Sequence, residues 1–384
     1  MITRQRVVTF GIPTLAVATI ALAAWLGPWA GGSLVTPVTP PIPDEPVAAA
    51  GHQIDVVFAI DTTGSMGGLI DGAKRTVWSI ATHIKQSDPQ ADLRIGLVAY
   101  RDFGDDYVTR DTPLTTDLDA AFASLSGFRA AGGGDVPEDV AAGLNDAIHM
   151  KWRDGAKKMV FIVGDAAPAD RGEVPRFDVL AREAADKQIM VNTIRCGEDT
   201  DTETAFQQIA TIGHGEFSTI RQNGGVQQIA TPYDDKMAEL SARIDHTAVI
   251  YAAPAVQAAY EGKMEAAAAA PAPAKADRAA WFHAKGGKRA DDDVLGAVTT
   301  GTMSVDGMDK TMLPADLRGM SKDELSVEVK RRAGEREEAQ KEMAEVAKAR
   351  DGYLKAQEAA GSAAGGPGAF DAAVKKTVDR ELAK

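Results

Sequence analysis

Val56-Val57-Phe58-Ala59-Ile60-Asp61-Thr62-Thr63-Gly64-Ser65-Met66 holds a strand, its abrupt end and the approach to a helix. A continuous apolar run of this length is what a strand needs when both of its faces are covered. The run stops at a carboxylate, and hydroxyl side chains and a glycine follow at once. Downstream, Ile70, Ala73, Val77, Ile80 and Ile84 recur at three- and four-residue steps, which puts one apolar stripe on a helix able to cover that strand.

The same alternation continues along the chain. Runs at 95–100, 159–163 and 189–194 read as further central strands, and a short strand is expected near 217–220. Between them, Val140, Leu144, Ala147 and Ile148, then Phe177, Leu180, Ala181 and Ala184, and then Phe206 and Ile209 carry helical spacing. The Thr- and Asp-rich segment 107–116 suits a short antiparallel edge strand. Strands alternating with helices predict an α/β fold, a doubly wound and mainly parallel sheet with helices on both faces.

The chain has 384 residues, a net charge of -13, six histidines and a single cysteine, Cys196. Phosphate recognition needs clustered Lys and Arg, so this balance argues against a nucleic-acid partner. Cys196 has no partner for an internal disulfide and lies in a strand run, as a buried thiol does. The middle of the chain carries the core-forming residues, and the boundaries follow from composition. Residues 1–31 hold Arg4 and Arg6 before an uncharged apolar run over 7–30, which predicts a membrane helix or a signal peptide. Read as an uncleaved anchor, it gives a single pass in the cytoplasmic membrane with the rest of the chain outside the cytoplasm; if cleaved, it gives a secreted protein. Residues 32–52 are a Pro-rich linker, 53–251 the α/β domain, and 252–320 an Ala- and Pro-rich segment expected to be a largely disordered linker. Ser321 and Glu324 form a capping box that opens a charged, solvated helix over 321–360, with Glu328 and Arg332 placed to pair across a turn. A tail with room for a short helix fills 361–384.

Ligands of open parallel sheets collect beyond the carboxyl ends of the strands, where the chain order reverses. Asp61, Thr63 and Ser65 stand at one such end and Asp165 at another. Their oxygens are hard donors suited to magnesium, or to another divalent cation such as manganese or calcium. A third loop, Gly132-Gly133-Gly134-Asp135-Val136-Pro137-Glu138-Asp139, has glycines that let its backbone approach the same spot. The competing reading of Asp61, Thr63 and Ser65 is helix capping, and Asp135 suits two roles equally, cation ligand or cap of the helix that follows Pro137. Arg101 and Asp102 read first as an exposed ion pair and second as residues that position the metal ligands, and the segment Glu198, Asp199, Asp201 and Glu203 as a solvated acidic loop.

Asp61, Thr63 and Ser65 resemble the Asp-x-Ser-x-Ser element of von Willebrand factor A domains, with Thr for the first Ser. The resemblance covers about 53–251, and the Gly-Gly-Asp-x-Pro-Glu-Asp string resembles a bacterial and α-kinase-associated branch of that family. It implies that Thr63 and Ser65 bind a metal directly at a metal-ion-dependent adhesion site, that Asp61 and Asp165 act mostly through water, and that a protein partner's acidic side chain completes coordination. Where this family usually has Thr in the third loop, this chain has Asp135. Gly64-Ser65-Met66-Gly67 lacks the nucleophile-elbow spacing, no His-Glu-x-x-His string occurs, and the glycine loop lacks a phosphate-binding Lys, so an enzyme is not expected. The expected function is metal-dependent adhesion or scaffolding. The alternatives are a metal-independent structural protein acting through the C-terminal helix and an accessory subunit of an enzyme complex.

Overall fold

Ile54, Val56, Phe58 and Ile60 pack into one hydrophobic cluster, while Val57 and Ala59, the intervening residues, pack into another. Successive side chains of a strand point to opposite faces, so this strand is the middle of a sheet with a core on each side. The computed structural model describes residues 52–133, 137–225, 230–359 and 370–383. The strand is β1 (Gln53–Asp61), followed by α1 (Gly67–Ser87), β2 (Asp92–Tyr100), β3 (Thr109–Thr115), α2 (Leu118–Gly127), α3 (Val140–Ile148), β4 (Lys157–Gly164), α4 (Phe177–Asp186), β5 (Ile189–Cys196), α5 (Thr200–Ile212) and β6 (His214–Ile220). The six strands lie in the order β3-β2-β1-β4-β5-β6. All neighbours are parallel except β3, which pairs antiparallel with β2 at the edge, as its composition predicted.

β1 therefore has β2 on one side and β4 on the other, and the crossovers leave it in opposite directions. The carboxyl ends of β1 and β4 meet at this switch point, Ile60 pairing with Val163 just before Asp61 and Asp165. α1 and α2 contribute to the core on one face, α3, α4 and α5 to the core on the other. The predicted stripe is in place: Ile70, Ala73, Val77, Ile80 and Ile84 are all buried.

After β6 the chain adds α6 (Asp234–His246), α7 (Pro254–Ala268), α8 (Ala272–Ala284), α9 (Leu295–Thr299), α10 (Lys322–Ala359) and α11 (Phe370–Leu382). The expected linker over 252–320 is corrected here, since α7, α8 and α9 occupy much of it. Pro254 and Pro273 stand in the first helical positions, where a missing N–H costs nothing, and Ala is the best helix former. Ala274, Ala276 and Ala279 are buried on α8, small enough to let neighbouring elements approach closely. The helix expected over 321–360 is present as α10, with Ser321 and Glu324 in a reciprocal cap and Arg332 Nε 2.8 Å from Glu328. It is less solvated than expected, because Leu325, Val329, Ala339 and Met343 are buried. α11 returns to the sheet, where Phe370, Val374 and Val378 join the cluster of Phe58.

The single-pass membrane placement expected from the sequence is also corrected. Among the described residues no helix is long and apolar enough to cross a membrane. The apolar run over 7–30 and the Pro-rich linker lie outside the described residues.

Candidate metal centre

Asp61 is fully buried at the end of β1, and its Oδ1 accepts hydrogen bonds from the Thr63 N–H at 2.8 Å and from Thr63 Oγ1 at 2.7 Å. This short loop closes on itself, as Asp loops do when the side chain bonds backbone two residues on. Thr63 Oγ1 stands 3.5 Å from Ser65 Oγ, so both hydroxyls face one point. The capping alternative fails on geometry. Neither the 3-10 turn Gly64–Met66 nor α1 receives a side-chain cap bond, which leaves the oxygen lone pairs of Thr63 and Ser65 for another purpose.

Asp165 meets Asp61 across the gap between β4 and β1. The Asp165 carboxylate is close enough to help raise the proton affinity of Asp61, and Asp61 Oδ2 is buried without a hydrogen-bond partner. Two acceptors facing each other satisfy neither, so a proton or a cation is needed between them. On the far side, Gln222 Nε2 donates to Asp165 Oδ2, and the Asp165 carbonyl accepts from Thr202 Oγ1 at 3.3 Å. Asp135 lies outside the described residues.

The third loop reaches the site as its glycines predicted. Gly64 N–H donates to Gly132 O at 3.3 Å and Ala131 N–H to Thr62 O at 3.1 Å, stitching the loop to the end of β1. Gly132 and Gly133 have φ of 77° and 78°, the left-handed region that glycine enters freely. A Cβ on Gly132 would stand 2.3 Å from an Asp105 oxygen, and the same carboxylate takes the Gly133 N–H at 3.1 Å. Arg101 and Asp102 are corrected: both are buried and they serve different partners. Arg101 donates to the carbonyls of Thr62 and Arg129 at 3.2 and 2.8 Å, while Asp102 pairs with Arg171, which also donates to Pro137 O at 3.2 Å. Of the acidic loop, Asp199 caps α5 by accepting from Thr202 N–H at 2.8 Å.

Several of these residues escaped the sequence reading. Asp105, Arg171 and Gln222 carry no local signal, because each meets its partner far along the chain. Glu138 was visible only as an acid before a helix, yet it is 4% exposed and its Oε2 has no hydrogen-bond partner. Burial, then repulsion from Asp61, Asp102, Asp105 and Asp165, pushes its carboxyl up to about 8. Burial pushes Asp61 up to about 7 against the opposing hydrogen bonds of Thr63, with Asp165 adding to the rise. The site carries more negative charge than its own residues neutralise.

That excess, the orphaned Asp61 oxygen and the paired hydroxyls fit a hard divalent cation. Among the described residues no three His, Cys, Asp or Glu side chains form a cage by themselves, so an ion here would need Thr63 and Ser65. Fold and site together define a parallel α/β domain with an oxygen-lined cradle at its topological switch point. Residues 55–232 match the family model described as the von Willebrand factor A domain, and this stretch of the chain is a von Willebrand factor A domain.

Relatives with similar sequence include the α-protein kinase vwkA of Dictyostelium discoideum, 30% identical over 121 residues, and von Willebrand factor A domain-containing protein 7 of Rattus norvegicus, 32% identical over 126 residues. These matches cover 30% and 33% of this chain, and the chain spans only 19% and 13% of those proteins. A solved structure similar to it is proximal thread matrix protein 1 from the mussel byssus with a zinc occupied MIDAS motif, 14% identical with a TM-score of 0.35, covering 45% of this chain and 43% of that one.

Proposed function

We propose that this chain is a protein-binding module whose contact surface is completed by a divalent cation, magnesium or a similar hard ion such as manganese or calcium. The observation that carries the reading is the buried, unpartnered Asp61 Oδ2 facing Asp165 beside two uncapped hydroxyls. Thr63 and Ser65 would hold the ion through their hydroxyl oxygens, and Asp61 and Asp165 would hold it mainly through water. When bound, the ion supplies positive charge with a coordination position open to an oxygen of a partner protein. Asp61 fixes Thr63 through two hydrogen bonds, so the donor set is organised before any ion arrives. The site reads as one for binding rather than catalysis, and the thiol of Cys196 is buried and pushed up by that burial, away from nucleophile duty.

The test is calorimetric titration of the full chain with Mg2+ and Mn2+, paired with thermal melts. A ligand that binds only the folded state at about 100 times its Kd adds about 2.7 kcal/mol of stability, so the melting temperature should rise by several degrees. Asp61→Ala and Thr63→Ala should abolish that rise. Wild-type protein that neither takes up the ions nor melts higher in their presence would overturn the reading.

A further inference from the structure

Away from the sheet, the last turn of α6 and one face of α7 enclose a cleft of about 450 Å3. Clefts that bind small molecules run roughly 300–1,000 Å3. At about 30 Å3 per water this one has room for about fifteen, far more than a bare metal ion fills. Ala242 on α6 and Met264 and Ala268 on α7 give it an apolar surface.

The charge on its walls is of one sign. Asp245, Glu261 and Glu265 line it together with His246, and no Lys or Arg does. Asp245 is already answered by Arg278 Nη1 at 2.7 Å and Arg289 Nε at 3.0 Å. Glu261 and Glu265 are not answered. They stand exposed four residues apart on α7 and have no hydrogen-bond or ion-pair partner among the described residues. Lys263, between them in sequence, is bound instead to Asp117 at the start of α2. Like charges at this spacing repel and weaken a helix. The facing wall is the carbonyl end of α6, whose partial negative charge adds to the same field. Tyr260 also lines the cleft, and its hydroxyl is buried without a hydrogen-bond partner, an oxygen still to be satisfied.

From this arrangement we infer that the cleft between α6 and α7 binds a small organic cation, an aliphatic di- or polyamine, independently of the divalent cation site. One ammonium group answers Glu261 and a second answers Glu265, while the methylenes between them cover Met264, Ala242 and Ala268. An inorganic cation would leave that apolar surface bare, and a single ammonium group would leave one acid unmatched. The sign of the walls excludes an anion.

The experiment is calorimetric titration of the full chain with putrescine and with spermidine in about 0.15 M NaCl, where diffuse attraction to the protein's charge is screened beyond about 8 Å. The expected result is uptake of one amine molecule per chain. Glu261→Gln/Glu265→Gln should weaken it about tenfold or more, because hydrogen bonds to two charged groups are lost, and should not lower the melting temperature. Ala242→Phe, at an exposed position, should weaken it as well by filling the apolar surface without touching a charge. Glu337→Gln/Glu345→Gln removes the same charge from exposed positions of α10 outside the cleft and should leave uptake unchanged, as should Asp61→Ala. No uptake by wild type would overturn the inference. So would full affinity in either cleft variant, equal weakening in the two double variants, or uptake abolished by Asp61→Ala. Mg2+ titration of the same proteins reads the divalent site separately, so failure of one reading leaves the other standing.

Discussion

Asp61 and Glu138 titrate at about 7 and about 8, whereas the same groups ordinarily titrate at 3.8 and 4.5. The cause in both is burial first and neighbouring carboxylates second. A folded state that keeps protons the unfolded chain has released loses stability as pH rises. Without divalent ions, the contribution of these two acids is therefore fully present below about pH 4 and is lost as pH climbs through about 7 to 8. On the proposed function, bound Mg2+ would take the place of those protons, so melts between about pH 4 and 8 should fall steeply in EDTA and lie much flatter in excess Mg2+. Superimposable profiles in the two conditions would show that no ion replaces the protons. The acids themselves differ in how far the sequence revealed them. The placement of Asp61, Thr63, Ser65 and Asp165 at the ends of two neighbouring strands was legible because each stands at or just past an apolar run. The burial of Glu138 was not legible, because an acid before a helix reads as part of the helix start, and here Asp139 makes that cap while Glu138 Oε2 is buried without a partner.

At the level of elements, the strands and the helices between them followed from periodicity, including the edge position of β3. What periodicity could not supply was the role of the chain beyond α6. Alanine runs punctuated by proline are low in information, and they look alike whether the helix they form is packed or absent. Packing decides, and here α8 and α11 supply Trp281, Phe282, Phe370, Val374 and Val378 to the same cluster as Phe58 and Phe161. The Phe370 ring lies 5.9 Å from that of Phe58, and the α11 side chain is 2% exposed. Truncating it leaves a cavity against the sheet, so Phe370→Ala should cost about 3–5 kcal/mol in a denaturant titration. By contrast, the exposed pair between His83 on α1 and Asp379 on α11 should matter little, since surface ion pairs contribute at most about 1 kcal/mol. A loss under about 1 kcal/mol for Phe370→Ala would mean that α11 rests on the sheet without holding it.

For the whole molecule, the question is whether the α/β unit can be handled apart from the helices that follow it. Cutting the chain after Tyr260 looks, from sequence alone, like a clean way to separate the cation site from the C-terminal helix. The structure argues otherwise, because the cut would strip α8 and α11 from one face of the sheet and leave charges without partners. Arg278 on α8 is 3% exposed and reaches Asp119 on α2 and Asp245 on α6, each at 2.7 Å. Arg350 on α10 likewise holds Asp234 on α6 and Asp277 on α8, each at 2.8 Å. Removing one member of such a buried pair costs about 3–5 kcal/mol, since the remaining charge is stranded away from water. α2 belongs to the α/β unit, and α6, α8 and α10 to the helices beyond it, so the Asp119–Arg278–Asp245 chain ties one to the other. Point substitutions in the full chain are thus the means to test the site. Calorimetry of the full chain should show one cooperative transition spanning both parts. Arg278→Ala should shift that transition downward as a whole, and Mg2+ should shift it upward as a whole. Two transitions, of which only the one responding to Mg2+ is indifferent to Arg278→Ala, would show that the helical part folds on its own account and that the buried ion pairs do not join it to the sheet.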